Sequence, residues 1–302
     1  MNIPQILKQG DQIAIVAIGK KISFDEIKKS IETFENWGLK VQISKTIGAG
    51  ENYLAGSDEL KIKEVQSYID NPEIKAIMFA RGGYGAVRII DRIDFSPLLK
   101  KHKWLVGFSD VTVLHNHINS KLKLASIHGI MPVFFEKATT SSIDSCKNVL
   151  FKGNMDYNFT SKNSTILNQG SCEGEIIGGN LSIIYSLCGS TSSLDTKGKI
   201  LFIEDLFEPT YHIDRMLQNL KRNGMFDKLK GIIIGSFTDI DQGNPTFCKD
   251  IETIFNSYFS HLNIPVINHF PSGHINDNHA LIFGQKVTMK VTKESISINT
   301  VN

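Results

Sequence analysis

Lys75-Ala76-Ile77-Met78-Phe79-Ala80-Arg81-Gly82-Gly83-Tyr84-Gly85 runs a short apolar segment straight into a glycine-rich turn. The segment from Lys75 to Ala80 predicts a buried strand, and the glycines after it let the backbone turn sharply and approach a ligand closely. Upstream, Gln12 to Ile18 reads as another strand. Phe24 to Trp37 has helical spacing, with Ile27, Ile31 and Phe34 on one face and Gly38 as its stop. Leu39 to Ser44 is the next strand and Asp58 to Ile69 the next helix. Downstream, Trp104 to Val106 reads as a strand, Val111 to Asn119 as a helix and Leu124 to Ile127 as a strand. This alternation predicts a largely parallel sheet covered by helices, with binding sites at the carboxyl ends of its strands.

The second half has a different character. From Thr139 to Gln169 the chain is polar and rich in Ser, Thr and Asn, which predicts a crossover between two domains with its boundary near Thr165. The expected division is therefore 1–164 and 165–302. Beyond it, strands are expected at Glu175 to Ile177, Lys199 to Ile203, Gly231 to Ile234 and Pro265 to Ile267, with helices at Ile213 to Arg222 and Asp250 to Phe259. Lys286 to Val291 and Ser295 to Asn299 alternate like a half-exposed hairpin, so the second domain reads as mixed α/β with antiparallel strands at its end.

Composition narrows the function. The 302 residues carry 33 basic and 31 acidic side chains, a formal charge of +2, with no basic stripe of the kind that phosphate backbones select. Nucleic acid is not an expected partner. No apolar run is long enough to span a bilayer and the amino terminus lacks a signal-peptide pattern, so no membrane partner is expected and the cytoplasm is the expected compartment. Cys146, Cys172, Cys188 and Cys248 are widely spaced without a CxxC pair, which fits buried thiols in a reducing environment.

Trp104-Leu105-Val106-Gly107-Phe108-Ser109-Asp110-Val111 places a serine where a buried strand must turn into a helix. Such a junction pushes the side chain outward, and the amides opening the helix face developing negative charge. Val111 stands where the last glycine of a GxSxG elbow would be, and Ser109 or Asp110 also suits a simple helix cap. The Arg81 to Gly85 turn offers bare amides for an oxyanion or a phosphate, yet it is neither GxGxxG nor a P-loop. Glu204 follows an apolar strand, where an acid often orients a histidine, and His274 lies in the loop Phe270 to Asn278. His115 and His117 point different ways from one helix, and His128, His212 and His269 lack a cysteine or acidic partner at ligand spacing. No metal and no cofactor is expected, and these histidines read as hydrogen-bonded structural groups.

Taken together these segments resemble the LD-carboxypeptidase family of serine peptidases, which also contains the enzymes conferring self-immunity to microcin C7. The likeness spans nearly the whole chain. It includes Leu7 to Ala17, Tyr53 to Asp58, Arg81 to Gly85, Gly107 to Thr112, His128-Gly129, Gly178-Gly179-Asn180-Leu181, Ile203-Glu204-Asp205 with Tyr211 to Arg215, and Gly273-His274. The resemblance implies Ser109 as nucleophile, Glu204 as acid and His274 as base, in an active site between an amino-terminal parallel-sheet domain and a carboxyl-terminal mixed domain. It implies a homodimer and a small murein tetrapeptide-like substrate whose terminal D-alanine is released during cell-wall recycling. The amides of Asp110 and Gly83, with Gly82 the second choice, are expected to form the oxyanion hole. Arg81, Gly82 and Tyr84 are expected to bind substrate, with Arg81 meeting its carboxylate. Two departures stand out, since the family often has Pro-Ser after the first strand and His-Gly-Pro-Met later, whereas this chain reads Ile18-Gly19 and His128-Gly129-Ile130-Met131.

Two other readings stay open on sequence. An immunity-type amidohydrolase acting on peptidyl-nucleotides would share the triad and need an aromatic wall, for which Phe134, Phe135 and Phe207 are candidates. A non-catalytic α/β module holding a sugar or nucleotide in its glycine loops would need no triad at all.

Overall fold

The computed structural model describes residues 1–50, 52–160, 165–248 and 250–301. The first half opens with β1 (Gln12–Val16), a 3-10 turn leading into α1 (Lys28–Asn36), β2 (Lys40–Ile43) and α2 (Asp58–Asp70). Ser57 caps α2 by accepting from Leu60 N at 3.2 Å, and Asp58 and Glu59 place negative charge in its first turn. Then come β3 (Ile74–Phe79), the short α3 (Ala86–Ile89), β4 (Trp104–Gly107), α4 (Thr112–Leu122) and β5 (Ser126–His128).

The stretch read as a polar crossover is mostly ordered structure. It contains α5 (Thr140–Lys152), β6 (Asp156–Thr160) and β7 (Thr165–Asn168). The Ser/Thr/Asn content hid an amphipathic helix: Thr139 caps it through Ser142 N, Gly153 ends it, and Cys146, Val149 and Leu150 are buried beneath it. The expected boundary between 164 and 165 abuts residues 161–164, which lie outside the described residues.

Past that point come β8 (Gly170–Asn180), α6 (Leu181–Leu187), β9 (Ile200–Leu206), α7 (Thr210–Arg222), β10 (Gly231–Thr238), α8 (Ile251–Phe259) and β11 (Val266–Asn268). The chain finishes with β12 (Leu281–Phe283) and the hairpin of β13 (Lys286–Val291) and β14 (Ser295–Thr300).

Two sheets result. Five parallel strands in the order β5-β4-β3-β1-β2 form the first, and β12 returns from the far end of the chain to pair antiparallel with β5. The second has the order β6-β14-β13-β8-β9-β10-β11-β7, with β8 to β11 parallel and the remaining pairings antiparallel. The expected parallel-sheet unit and mixed unit are both present. One hydrophobic core runs through both sheets, joining Ile13, Met78 and Val106 of the first to Ile176, Phe202 and Met289 of the second.

Phe283 on β12 shows how the seam is closed. Its fully buried ring lies 5.4 Å from His128 of the first sheet and 6.0 Å from Phe202 of the second. Truncating it leaves a cavity shared by both sheets, so Phe283→Ala should cost about 3–5 kcal/mol and lower the thermal midpoint by about 5–8 °C for a chain of this size. Differential scanning calorimetry of the variant beside the wild type checks this.

Candidate active site

The turn after β4 is strained in the way an exposed nucleophile needs. Phe108 is extended at φ −149°, Ser109 then takes a positive φ of 62°, and a 3-10 turn at Ser109–Val111 feeds α4. A left-handed conformation at a non-glycine residue is costly and tends to persist where the fold holds it for function. The missing glycine at position 111 has a structural answer. A side chain on Gly107 would lie 2.9 Å from Val111 Cγ2, so the buried valine occupies the space that Gly107 leaves open.

Asp110 ties this turn to the glycine loop after β3. Its buried carboxylate accepts from Ala86 N at 2.9 Å and from the amide of Gly85. Burial pushes its pKa up, against the pull of those two amides. A Cβ on Gly82 would come within 2.9 Å of both Cβ and Oγ of Ser109, whereas one on Gly83 would meet Tyr53 Oη and Lys20. Gly82 thus lies against the serine. Its carbonyl accepts from Lys20 N at 3.0 Å, and because a trans peptide points C=O and N–H in opposite directions, the Gly83 N–H faces away from Lys20. One sequence departure borders this loop, since a Cβ on Gly19 would lie 2.5 Å from Gly82 O; Met131, next to the other departure at Ile130, brings its Cε to 3.4 Å from the Gly82 Cβ position.

Glu204 and His274 meet across the second sheet. Glu204 is fully buried within β9, and its Oε2 accepts from His274 Nδ1 at 2.7 Å. That bond fixes the tautomer, leaving Nε2 as the free nitrogen. The loop carrying His274 is pinned at its base: Phe270 N donates to Ile234 O, Ser236 N to Ser272 O, and Gly273 N to Asn278 Oδ1. Gly273 passes so close to Glu204 that a Cβ there would be 2.8 Å from Oε2. Burial disfavours the charged imidazole, but the charge and hydrogen bond of Glu204 outweigh it and raise the His274 pKa above its ordinary value.

The imidazole packs edge-on against Phe108 with ring centroids 4.8 Å apart, which puts it one residue from Ser109. No hydrogen bond joins Ser109 Oγ to His274, and Ser109 Oγ has no partner among the described residues. Such contacts often tighten only when substrate arrives. The structure therefore brings Glu204 and His274 into contact and sets both beside the turn that carries Ser109.

The remaining candidates divide. Arg81 is engaged by Glu26 at 2.9 Å, and Tyr84 is exposed. Among the described residues no cluster of three or more His, Cys, Asp or Glu is placed to hold a metal. The other histidines depart in part from the sequence reading. His115 contacts Gly107 O and His117 contacts Ser192 Oγ, as structural groups do. His212 and His269 are hydrogen-bonded as expected, but to carboxylates, Glu208 and Glu252; Glu208 stands four residues before His212, whereas Glu252 is brought up by the fold. His128, expected to be hydrogen-bonded, is fully buried with neither ring nitrogen partnered among the described residues.

Two residues have supporting roles that no local sequence pattern shows. Phe108 backs the imidazole, and Asp205, pushed up to about 7 by burial and the neighbouring Glu204 charge, accepts from Asn180 Nδ2 and Ser182 N. Asn180 N in turn donates to Thr112 Oγ1 on α4, linking the acid's strand to the serine's helix.

Comparison with known proteins agrees with this architecture. The LD-carboxypeptidase N-terminal domain model matches residues 13–129 and the C-terminal domain model matches residues 173–289. The chain is 30% identical over 298 residues to the probable murein peptide carboxypeptidase of Bacillus subtilis, covering 98% of this chain and 93% of that protein. It is 28% identical over 294 residues to the murein tetrapeptide carboxypeptidase of Pseudomonas aeruginosa, covering 92% and 93% respectively. The crystal structure of muramoyltetrapeptide carboxypeptidase from Oxalobacter formigenes superposes with a TM-score of 0.87 at 26% identity, covering 96% of this chain and 99% of that one. With both of its domain models matched in order, and relatives aligned along almost the entire sequence, the chain belongs to the LD-carboxypeptidase family of serine peptidases.

Proposed function

We propose that this enzyme hydrolyses the L,D peptide bond that precedes the terminal D-alanine of a murein tetrapeptide, acting in the cytoplasm during cell-wall recycling. The observation that carries the reading is the 2.7 Å bond between Glu204 and His274, held against Phe108 beside the strained Ser109. The names of the murein-peptide relatives support the substrate class.

In this reading His274 Nε2 takes the proton of Ser109 Oγ as that oxygen attacks the scissile carbonyl. Glu204 holds the tautomer and stabilises the imidazolium. The tetrahedral oxyanion lies between the amides of Asp110 and Gly83, where one well-placed donor lowers the barrier by about 3 kcal/mol. The orientation of the Gly82–Gly83 peptide supports Gly83 as that donor, with Gly82 forming the wall beside the serine. Collapse breaks the C–N bond and His274 gives its proton to the leaving amine. Water, deprotonated by the same imidazole, then cleaves the acyl-enzyme. Arg81, Gly82 and Tyr84 line the approach, and the working unit is a homodimer.

Incubation with murein tetrapeptide should release D-alanine. Ser109→Ala should lower turnover by at least about 10³-fold while substrate still binds. Turnover of an aminoacyl-adenylate analogue with the tetrapeptide untouched would instead identify an immunity-type amidohydrolase, and near-normal cleavage by Ser109→Ala would overturn the nucleophile.

The pH profile gives a second test. The base must be neutral to act, so kcat/KM should rise with pH through the raised pKa of His274, with its midpoint above 6.5. Glu204→Gln removes the two larger raising influences and leaves burial opposed only by the weaker charge of Asp205, so the midpoint should move down and kcat should fall on the order of 10⁴-fold. An unmoved midpoint contradicts the pairing.

A further inference from the structure

We propose that Lys20 binds the terminal carboxylate of the peptide and thereby confines the enzyme to the last bond of the chain. This rests on the carboxypeptidase reading above and names the group that makes it an exopeptidase.

The cation stands at the right place in the fold. The segment after β1 crosses the carboxyl end of the first sheet, where Lys20 N donates to Gly82 O at 3.0 Å and Lys20 bridges Leu54. The Cβ position of Gly83 is 2.9 Å from Lys20 Cβ, while that of Gly82 is 2.9 Å from Ser109 Oγ. One residue of a glycine loop therefore separates the lysine stem from the nucleophile. When a single residue leaves, its carboxylate carbon is no more than about 4 Å from the scissile carbonyl carbon. A lysine side chain rooted beside Gly83 spans that interval.

Charge separates Lys20 from its neighbours. Arg81 is held by Glu26, and Arg88 and Lys61 are both held by Asp58. Lys21 is exposed and packs its stem on Gly50. Lys20 is partly buried and meets no carboxylate among the described residues; its ammonium lies 5.7 Å from the centre of the Tyr53 ring. Tyr53 itself closes on the same glycine, with Oη 2.8 Å from the Gly83 Cβ position. An aromatic face holds a cation in place without neutralising it, which leaves the charge available to an incoming anion. A peptide continuing past the scissile bond would present a neutral amide there and gain nothing from it.

The test compares a tetrapeptide ending in a free carboxylate with the same peptide carrying a C-terminal amide. The wild type should favour the acid. Lys20→Met should lower kcat/KM for the acid by about 10–100-fold, mainly through KM, and leave the amide rate unchanged, so that the preference collapses. Lys20→Arg should restore most of it, which loss of folding would not allow, and Arg81→Met should keep it. Full acid preference in Lys20→Met, or its collapse in Arg81→Met alone, overturns the assignment of Lys20. A wild type that cleaves neither peptide overturns the carboxypeptidase reading itself, and one that cleaves both equally overturns carboxylate recognition while sparing hydrolysis.

Discussion

A strand carboxylate with no exposed surface, Glu204, is bonded to the imidazole of His274 on a separate loop, and much of the second sheet is arranged around that contact. Burying Glu204 without a partner would be expensive, so the charge has to be met by a donor that the fold delivers reliably. The delivery is backbone work. Phe270 and Ser236 anchor the loop by main-chain bonds, Gly273 N donates to the Asn278 side chain, and the bare backbone of Gly273 is what lets the loop close on Glu204. Opposite it, the left-handed turn at Ser109 is held from behind by Val111 over Gly107 and from the side by the carboxylate of Asp110. The two assemblies meet through Phe108.

Because the pair and the serine come from different sheets, their relative position depends on the seam. Here the chain exchanges material: β12, distant in sequence, completes the first sheet, while β6 from just past the midpoint completes the second. Phe202, Phe283 and His128 pack together across that seam, directly behind Phe108. Thr112 accepting from Asn180 N adds a polar tie nearer the site. The core therefore sets the geometry of the site, since a hinge here would separate His274 from Ser109.

Much of this was legible in the chain itself. The strands ending at Phe79, Gly107 and Leu206 announce themselves by apolar runs, and chemistry-bearing residues cluster at their carboxyl ends because that is where an α/β sheet exposes side chains. The hairpin at the end is visible in its alternation. Other features were hidden for physical reasons. Leu281-Ile282-Phe283 is too short to distinguish a strand from any buried turn, and its partner β5 is far away in sequence. The helix Thr140–Lys152 was masked by its polar residues, two of which, Ser142 and Ser145, lie on the buried face and bond to the Asn278–Ala280 segment. Contacts such as Lys20 with Gly83, or Phe108 with His274, exist only after folding and leave no local pattern.

Whether Ser109, His274 and Glu204 act as one proton relay can be tested by chemical labelling without any assumption about substrate. A serine-directed fluorophosphonate, followed by peptide mapping, reports whether the hydroxyl is activated. A working relay gives a single adduct at Ser109 that forms orders of magnitude more slowly in folded His274→Ala. An adduct elsewhere, or an unchanged rate at Ser109 without the imidazole, would contradict it.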